Sequence, residues 1–170
     1  GGMGFIEETG AAQFMRDARI LPIYEGTNAI QANDFMFRKT LRDNGITAKE
    51  FLEEIKIDCE QNQEISNMIT LALSTLDFII ENRDDPEMLS CICFDYMMGF
   101  GYLVGGWLMH KGKVKAKFKL SEKYQKQNFL KSKIISAEFY DFHILPRVES
   151  HFKIVAKGAT IVQSTNDSFI

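Results

Sequence analysis

The sequence predicts an all-α protein, an antiparallel bundle of long helices, and three observations predict it. Apolar residues recur at spacings of three and four through most of the chain. Only three prolines, Pro22, Pro86 and Pro146, punctuate 170 residues, which suits long helices joined by short links. Strand-like alternation is weak, and neither internal repeats nor low-complexity tracts occur. A hydrophobic content of 45% is ample for one sizeable domain, or one domain with an appended helical piece.

The first helix is expected over residues 5–19. Phe5, Ala11, Ala12, Met15 and Ala18 recur at helical spacing, with Glu7 and Glu8 early and Arg16 and Arg19 late, the order that the helix dipole favours. Arg16, Asp17 and Arg19 read as structural ion pairs. Pro22, which lacks a backbone donor, and Gly26, which permits conformations closed to other residues, then break the helix. Thr27 or Asn28 can cap the next one, which carries Ile30, Phe35, Phe37 and Leu41 and ends at Asn44-Gly45 in left-handed fashion. Thr47 with Glu50 three residues later reads as a capping box opening a helix with Phe51, Leu52, Ile55 and Cys59. After a polar interval, Ile65, Met68, Ile69, Ala72, Leu76, Ile79 and Ile80 continue the pattern. Asp84-Asp85-Pro86-Glu87 starts another helix, with an acid at the cap and proline in the first turn.

That helix carries 22 residues, 88–109, in which Asp95 is the one charged residue, and Gly101 and Gly105 form a small-xxx-small pair. Asp95 near the middle, with Ser90 and Tyr96 nearby and apolar helices on both sides, favours the buried centre of a bundle over a membrane span. Gly112 marks the expected exit from it. Lys111, Lys113, Lys115, Lys117 and Lys119 then read as a solvated loop, or alternatively as a phosphate-attracting field. A last helix is expected from about Ser121, presenting Tyr124, Phe129, Ile134, Ile135, Phe139 and Phe142, interrupted at Pro146 and fading by Gly158.

A net charge of -3 and a pI near 5.7 argue against nucleic acid as a partner. Cys59, Cys91 and Cys93 lie within apolar helical patterns and read as small buried hydrophobes in a reducing, cytoplasmic setting rather than as metal ligands. His110, His143 and His151 show no spacing suited to catalysis or metal, and no secretory signal opens the sequence.

Chemistry concentrates in residues 1–34. Gly1-Gly2-Met3-Gly4-Phe5, Arg16-Asp17-Ala18-Arg19-Ile20, Ile23-Tyr24-Glu25-Gly26-Thr27-Asn28 and Ile30-Gln31 follow one another in order. On composition alone, Glu25 reads as an exposed loop acid, with Gly26 and Thr27 as a helix stop and cap. The strings together, however, resemble the closing signature of acyl-CoA dehydrogenases. Residues 51–170 are similar, in helix layout, to the extra helical extension of a larger subgroup of that family.

The resemblance implies a division into 1–45, the end of the dehydrogenase C-terminal helical domain with the catalytic loop, 46–163, the extension bundle, and 164–170, a tail. It implies an FAD-dependent α,β-dehydrogenation of an acyl-CoA thioester, with Glu25 accepting the α-proton from an apolar pocket that raises its basicity. It implies that Leu21, Ile23 and Tyr24 wall that pocket, that Tyr24 and Gly26 neighbour the substrate, and that the Glu25 N–H helps hold the enolate oxygen. Thr27, Gly1 and Gly2 fall at cofactor-contacting positions. Ala29 does too, but the family often carries Gln or Glu there, so its part reduces to backbone. The flavin-binding domains expected upstream lie outside this sequence. The chain is therefore expected to be a fragment, inactive alone and prone to homo-oligomerise. A helical interaction module and a DNA-associated flavoprotein relative are the competing readings.

Overall fold

The computed structural model describes residues 1–122 and 125–165. Among these residues there is no strand, and the fold is the helical bundle that the periodicity predicts. Its centre is α6, Pro86–Ser121, against which α7 (Gln127–His143) and α8 (Arg147–Ala156) pack most extensively. The helices α3 (Asn28–Asn33), α4 (Ile46–Asp58) and α5 (Gln63–Glu81) complete the wall around it, and α9 (Thr160–Gln163) closes one edge. The core is contiguous, with Leu52, Ile55, Ile69, Leu76, Leu89, Leu103 and Phe152 essentially inaccessible to solvent. Helix α6 is long and apolar enough to cross a membrane by composition, yet its buried positions are those that face the neighbouring helices.

The cap at Asp85 forms as expected, its carboxylate accepting the Met88 N–H at 2.9 Å with Pro86 at the first helical position. Asn44 and Gly45 both take left-handed conformations, φ 58° and 74°. The capping box at Thr47 does not form. Helix α4 already begins at Ile46, and Asp43 does the work from before it, accepting both the Thr47 N–H at 3.0 Å and its hydroxyl at 2.5 Å. Between α3 and Asn44 the chain widens into a π-helical segment, Asp34–Thr40, followed by a 3-10 turn. Thr40 supports that wide turn by donating to the Phe35 carbonyl at 2.9 Å, and its oxygen lies 3.1 Å from the buried Tyr96 hydroxyl. Burial pushes the Tyr96 phenol well above its ordinary range.

Four further expectations need correction. The first helix is broken into α1 (Gly2–Phe5), a 3-10 turn and α2 (Ala11–Ala18), because Ile6 is extended and Gly10 is left-handed at φ 75°. Residues 111–119 form no loop. Helix α6 runs through them, since lysine is a good helix former, Ala116 is buried, and Lys111 and Lys113 are anchored by Asp58 at 2.7 Å and by Glu138 at 3.4 Å. Ser121 accordingly ends α6 instead of starting the next helix, whose first residue is Gln127; Tyr124 lies outside the described residues. Helix α7 turns Leu130 and Ala137 inward and leaves Phe129, Ile135, Phe139 and Phe142 exposed, and Cys91 is exposed while Cys59 and Cys93 are buried.

Candidate functional site around Glu25

The site grows from a break in the helical pattern. After α2, residues 18–24 wind into tight turns, with the Ile23 and Tyr24 N–H groups both donating to the Ile20 carbonyl at 3.0 and 2.8 Å. Pro22 sits in this turn, and its carbonyl accepts the Asn28 N–H at 3.2 Å. Two consecutive residues then take positive φ, Glu25 at 56° and Gly26 at 104°. Gly26 is required twice over: its φ excludes side chains, and a Cβ there would crowd the Gln31 amide at 3.2 Å and Ile30 at 3.3 Å. Thr27 returns the chain to extended backbone and caps α3, its hydroxyl accepting the Ile30 N–H at 3.4 Å. Of the two candidate caps, Thr27 is the one used.

Gln31 is the residue that the pattern of strings includes but does not explain. Its side-chain amide donates to the Glu25 carbonyl at 2.6 Å, clamping the first turn of α3 to the left-handed corner. Glu25 is left-handed without being glycine, asparagine or aspartate, a conformation costing about 1 kcal/mol. The Gln31 bond and the Pro22–Asn28 bond brace it. The backbone N–H of Glu25 donates to no group among the described residues. The corner therefore presents a carboxylate and a free N–H together.

Tyr24, Glu25, Gly26, Thr27 and Ala29 are held together in this loop and first turn. The Ala29 carbonyl accepts from the Asn33 amide at 3.0 Å. Gly1 and Gly2 are separate from them, at the start of α1, where an added Cβ would meet nothing within 4 Å, and no hydrogen bond among the described residues ties them to the loop. Arg16 pairs with Glu7 at 3.2 Å, and Asp17 accepts from Gln13 at 2.6 Å, so this part of the signature is local scaffolding.

No residue from 1 to 31 is buried. Leu21, Ile23 and Tyr24, expected as pocket wall, are 73%, 57% and 63% exposed, and no described residue closes over Glu25. An apolar cavity of about 420 Å³ lies elsewhere, between the π segment, α4 and α6, lined by Phe35, Phe51, Met97, Phe100 and Val104. As to fit for a flavin, two separate places offer a share of a site: the loop supplies the exposed Thr27 hydroxyl, which keeps its own proton to donate, and the start of α1 supplies uncovered glycine backbone at residues 1 and 2.

The other titratable groups serve packing. Burial pushes the Cys59 thiol up to about 11 and raises Cys93 as well, so neither is a nucleophile at neutral pH. Asp95, the lone charge in the apolar stretch of α6, meets the His151 imidazole of α8 at 2.7 Å, and that ring stacks on Tyr102. The pairing bridges 56 positions and has no short-range sequence signal. His110 faces the Asn62 amide at 3.2 Å, and burial holds it below its ordinary value. Among the described residues, no group of three His, Cys, Asp or Glu is arranged for a metal ion.

Known proteins resemble this chain along both of its parts. A family model described as "Acyl-CoA dehydrogenase, C-terminal domain" matches residues 1–38, and one described as "Acetyl-CoA dehydrogenase C-terminal like" matches residues 47–165. The chain is 37% identical, over 97% of its length, to a 3-methylmercaptopropionyl-CoA dehydrogenase of Ruegeria pomeroyi, of which it spans 30%. It is 31% identical over 94% of its length to a butyryl-CoA dehydrogenase of Syntrophomonas wolfei, spanning 28% of that protein. It is 25% identical over 91% of its length to a broad-specificity linear acyl-CoA dehydrogenase of Mycobacterium tuberculosis, again spanning 28%. The chain thus belongs to the acyl-CoA dehydrogenase family, to whose C-terminal helical domains it corresponds.

Proposed function

We propose that this chain carries the general base of an FAD-dependent acyl-CoA dehydrogenase, with the Glu25 carboxylate taking the proton from the carbon α to the thioester carbonyl. The observation that carries this reading is the braced left-handed corner at Glu25, stapled by Gln31 and lying within the family's YEGT string. Backbone held in such a conformation against its own cost is characteristic of functional sites.

A carbon acid beside a thioester is weak, so its base must be aimed and kept dry. A solvated carboxylate is too weakly basic for the task. The exposed side chains of Leu21, Ile23 and Tyr24 supply one apolar wall, and covering them would desolvate Glu25 and raise its proton affinity. The free Glu25 N–H is suited to hold the developing enolate oxygen, while Tyr24 and Gly26 flank the thioester. FAD, when bound, supplies the acceptor for the hydride leaving the β carbon, so that the thioester loses two hydrogens and acquires an α,β double bond. Thr27 and the backbones of Gly1, Gly2 and Ala29 would form part of its cradle. The remaining walls come from flavin-binding domains outside this chain, without which it is inactive. Residues 1–45 form the end of the dehydrogenase domain and 46–163 an extension, in a protein that self-associates in the cytoplasm.

The test uses the natural protein that carries this chain, purified with FAD. Butyryl-CoA, 3-methylmercaptopropionyl-CoA and longer thioesters are added without oxygen, and flavin bleaching is followed. Wild-type protein bleaches with at least one thioester, and Glu25→Gln, with FAD retained, slows bleaching by about 10²- to 10⁴-fold. Flavin that no thioester bleaches would favour a second reading, a helical interaction module, for which the exposed apolar surface of residues 1–31 is the supporting observation.

A further inference from the structure

Charge in this chain is segregated. Positions 111–133 hold nine lysines, no arginine and one acid, Glu122, whereas the rest of the chain holds 11 basic residues against 22 acids. The fold gathers the described part of this segment at one end of the bundle, where the last turns of α6 meet the start of α7. Two of the lysines are neutralised internally, Lys111 by Asp58 and Lys113 by Glu138 and Asp141. Lys115 and Lys133 instead hold their ammonium groups over the phenyl rings of Phe118 and Phe129, each 5.4 Å from the ring centre. Leu108, Val114, Phe118 and Phe129 are all more than half exposed on the same end. Between α6 and α7 a groove of about 320 Å³ has Leu108, Ala116, Phe129 and Leu130 among its walls and Lys115 and Lys133 on it, and no acid among the described residues lines it.

We propose that this end of the α6–α7 pair docks on the surface of an anionic lipid bilayer. The interface of such a bilayer is negatively charged at the headgroups and apolar just below them, and this surface carries both complements within one turn of helix. Lysine stems lie along apolar surface while their ammonium groups reach outward, and phenylalanines beside them enter the acyl boundary. Lysine to the exclusion of arginine fits attraction to a diffuse anionic plane. Recognition of individual nucleic-acid phosphates favours arginine's bidentate fork, and a duplex offers exposed phenyl rings no apolar layer to enter.

The test is vesicle co-sedimentation of the natural protein carrying this chain, with pure phosphatidylcholine against a mixture containing phosphatidylserine, at low and high salt. Binding is expected to the mixed vesicles at low salt, to be weak on the neutral ones, and to fall with salt. Lys115→Gln with Lys133→Gln is expected to lower partitioning by roughly 25-fold, about fivefold per lysine. Phe118→Ser with Phe129→Ser, both on exposed positions, is expected to lower it at least tenfold while the circular dichroism spectrum is unchanged. Equal binding to both vesicle types, or no binding to either, overturns the proposal. Loss with the lysine variants but not with the phenylalanine variants also overturns it, in favour of a soluble polyanion or an acidic protein, as does tighter binding to a DNA duplex than to the mixed vesicles.

Discussion

Glu25 has two separable properties, its carboxylate and its backbone, and they predict different consequences of mutation. Glu25→Gln preserves the side-chain shape and removes the proton acceptor, whereas Gln31→Ala removes the 2.6 Å bond to the Glu25 carbonyl and leaves the carboxylate intact. The second change is expected to cost about 1 kcal/mol of local stability and to lower the bleaching rate without shifting its pH dependence, because it disturbs aim and not proton affinity. Rapid-mixing measurements across pH distinguish the two. His110 gives a pH prediction at the same scale. Asn62 caps α5 by accepting the Ile65 N–H through its side-chain oxygen, which turns its amide nitrogen towards the His110 Nδ1. That nitrogen must therefore accept, so the ring is held neutral, and burial lowers its proton affinity in the folded state. A lowered folded value means that the unfolded chain binds the proton more readily. The His110 contribution to stability is present above pH about 6.5 and lost as pH falls through the folded value. Melting temperature should drop as pH falls below about 6.5, and His110→Gln should flatten part of that drop.

Helix α6 shows how far an element can be read before packing decides. Its start was legible because Asp85 and Pro86 act within one turn. Its end was not, because Gly112 and the alternating lysines are locally compatible with a loop, and what extends the helix lies far away in sequence, at Asp58, Glu138 and Asp141. The glycines of α6 test this reading. Gly112 is exposed, helical, and has nothing within 4 Å of an added Cβ, so Gly112→Ala should stabilise the protein by about 0.5–1 kcal/mol. In a loop that held residue 112 at positive φ, the same change would instead destabilise. A Cβ on Gly99 would run into Phe152, and one on Gly105 into the Tyr140 hydroxyl, so Gly99→Ala and Gly105→Ala should each destabilise by about 1–3 kcal/mol. Thermal denaturation of the three variants gives opposite signs under this account. Similar limits explain the first helix, where Gly10 could have been tolerated within a continuous turn and instead takes φ 75°. At Thr47, the capping-box spacing was satisfied by accident, while Asp43 held the geometry.

For the molecule as a whole, the division is between a closed bundle and an open corner at Glu25. The bundle follows from the apolar period, and its class was legible throughout. The exposed positions on α7 were not, since Phe129, Ile135, Phe139 and Phe142 share a helix that is apolar on several faces and only the contacts with α6 decide which face turns inward. The residues of the corner were legible through their resemblance to a family, and the physical reason for Gly26, Thr27 and Gln31 came from the backbone. Residues 1–31 bury nothing here, although they carry Phe5, Phe14, Leu21, Ile23 and Tyr24. Such a surface predicts association: sedimentation of the isolated 170-residue chain at micromolar concentration should show oligomers, and a monodisperse monomer would contradict it.

The role proposed for Glu25 is removal of the α-proton, and isotope exchange reads that step alone. The natural protein carrying this chain, loaded with FAD, is incubated in deuterium oxide with a thioester that bleaches its flavin, and α-deuterium in the recovered thioester is measured by mass spectrometry. Wild-type protein should exchange the α position, and Glu25→Gln, with its flavin spectrum unchanged, should exchange it at least a hundredfold more slowly. Exchange at the wild-type rate in Glu25→Gln would place the base elsewhere and leave the braced corner without its proposed purpose.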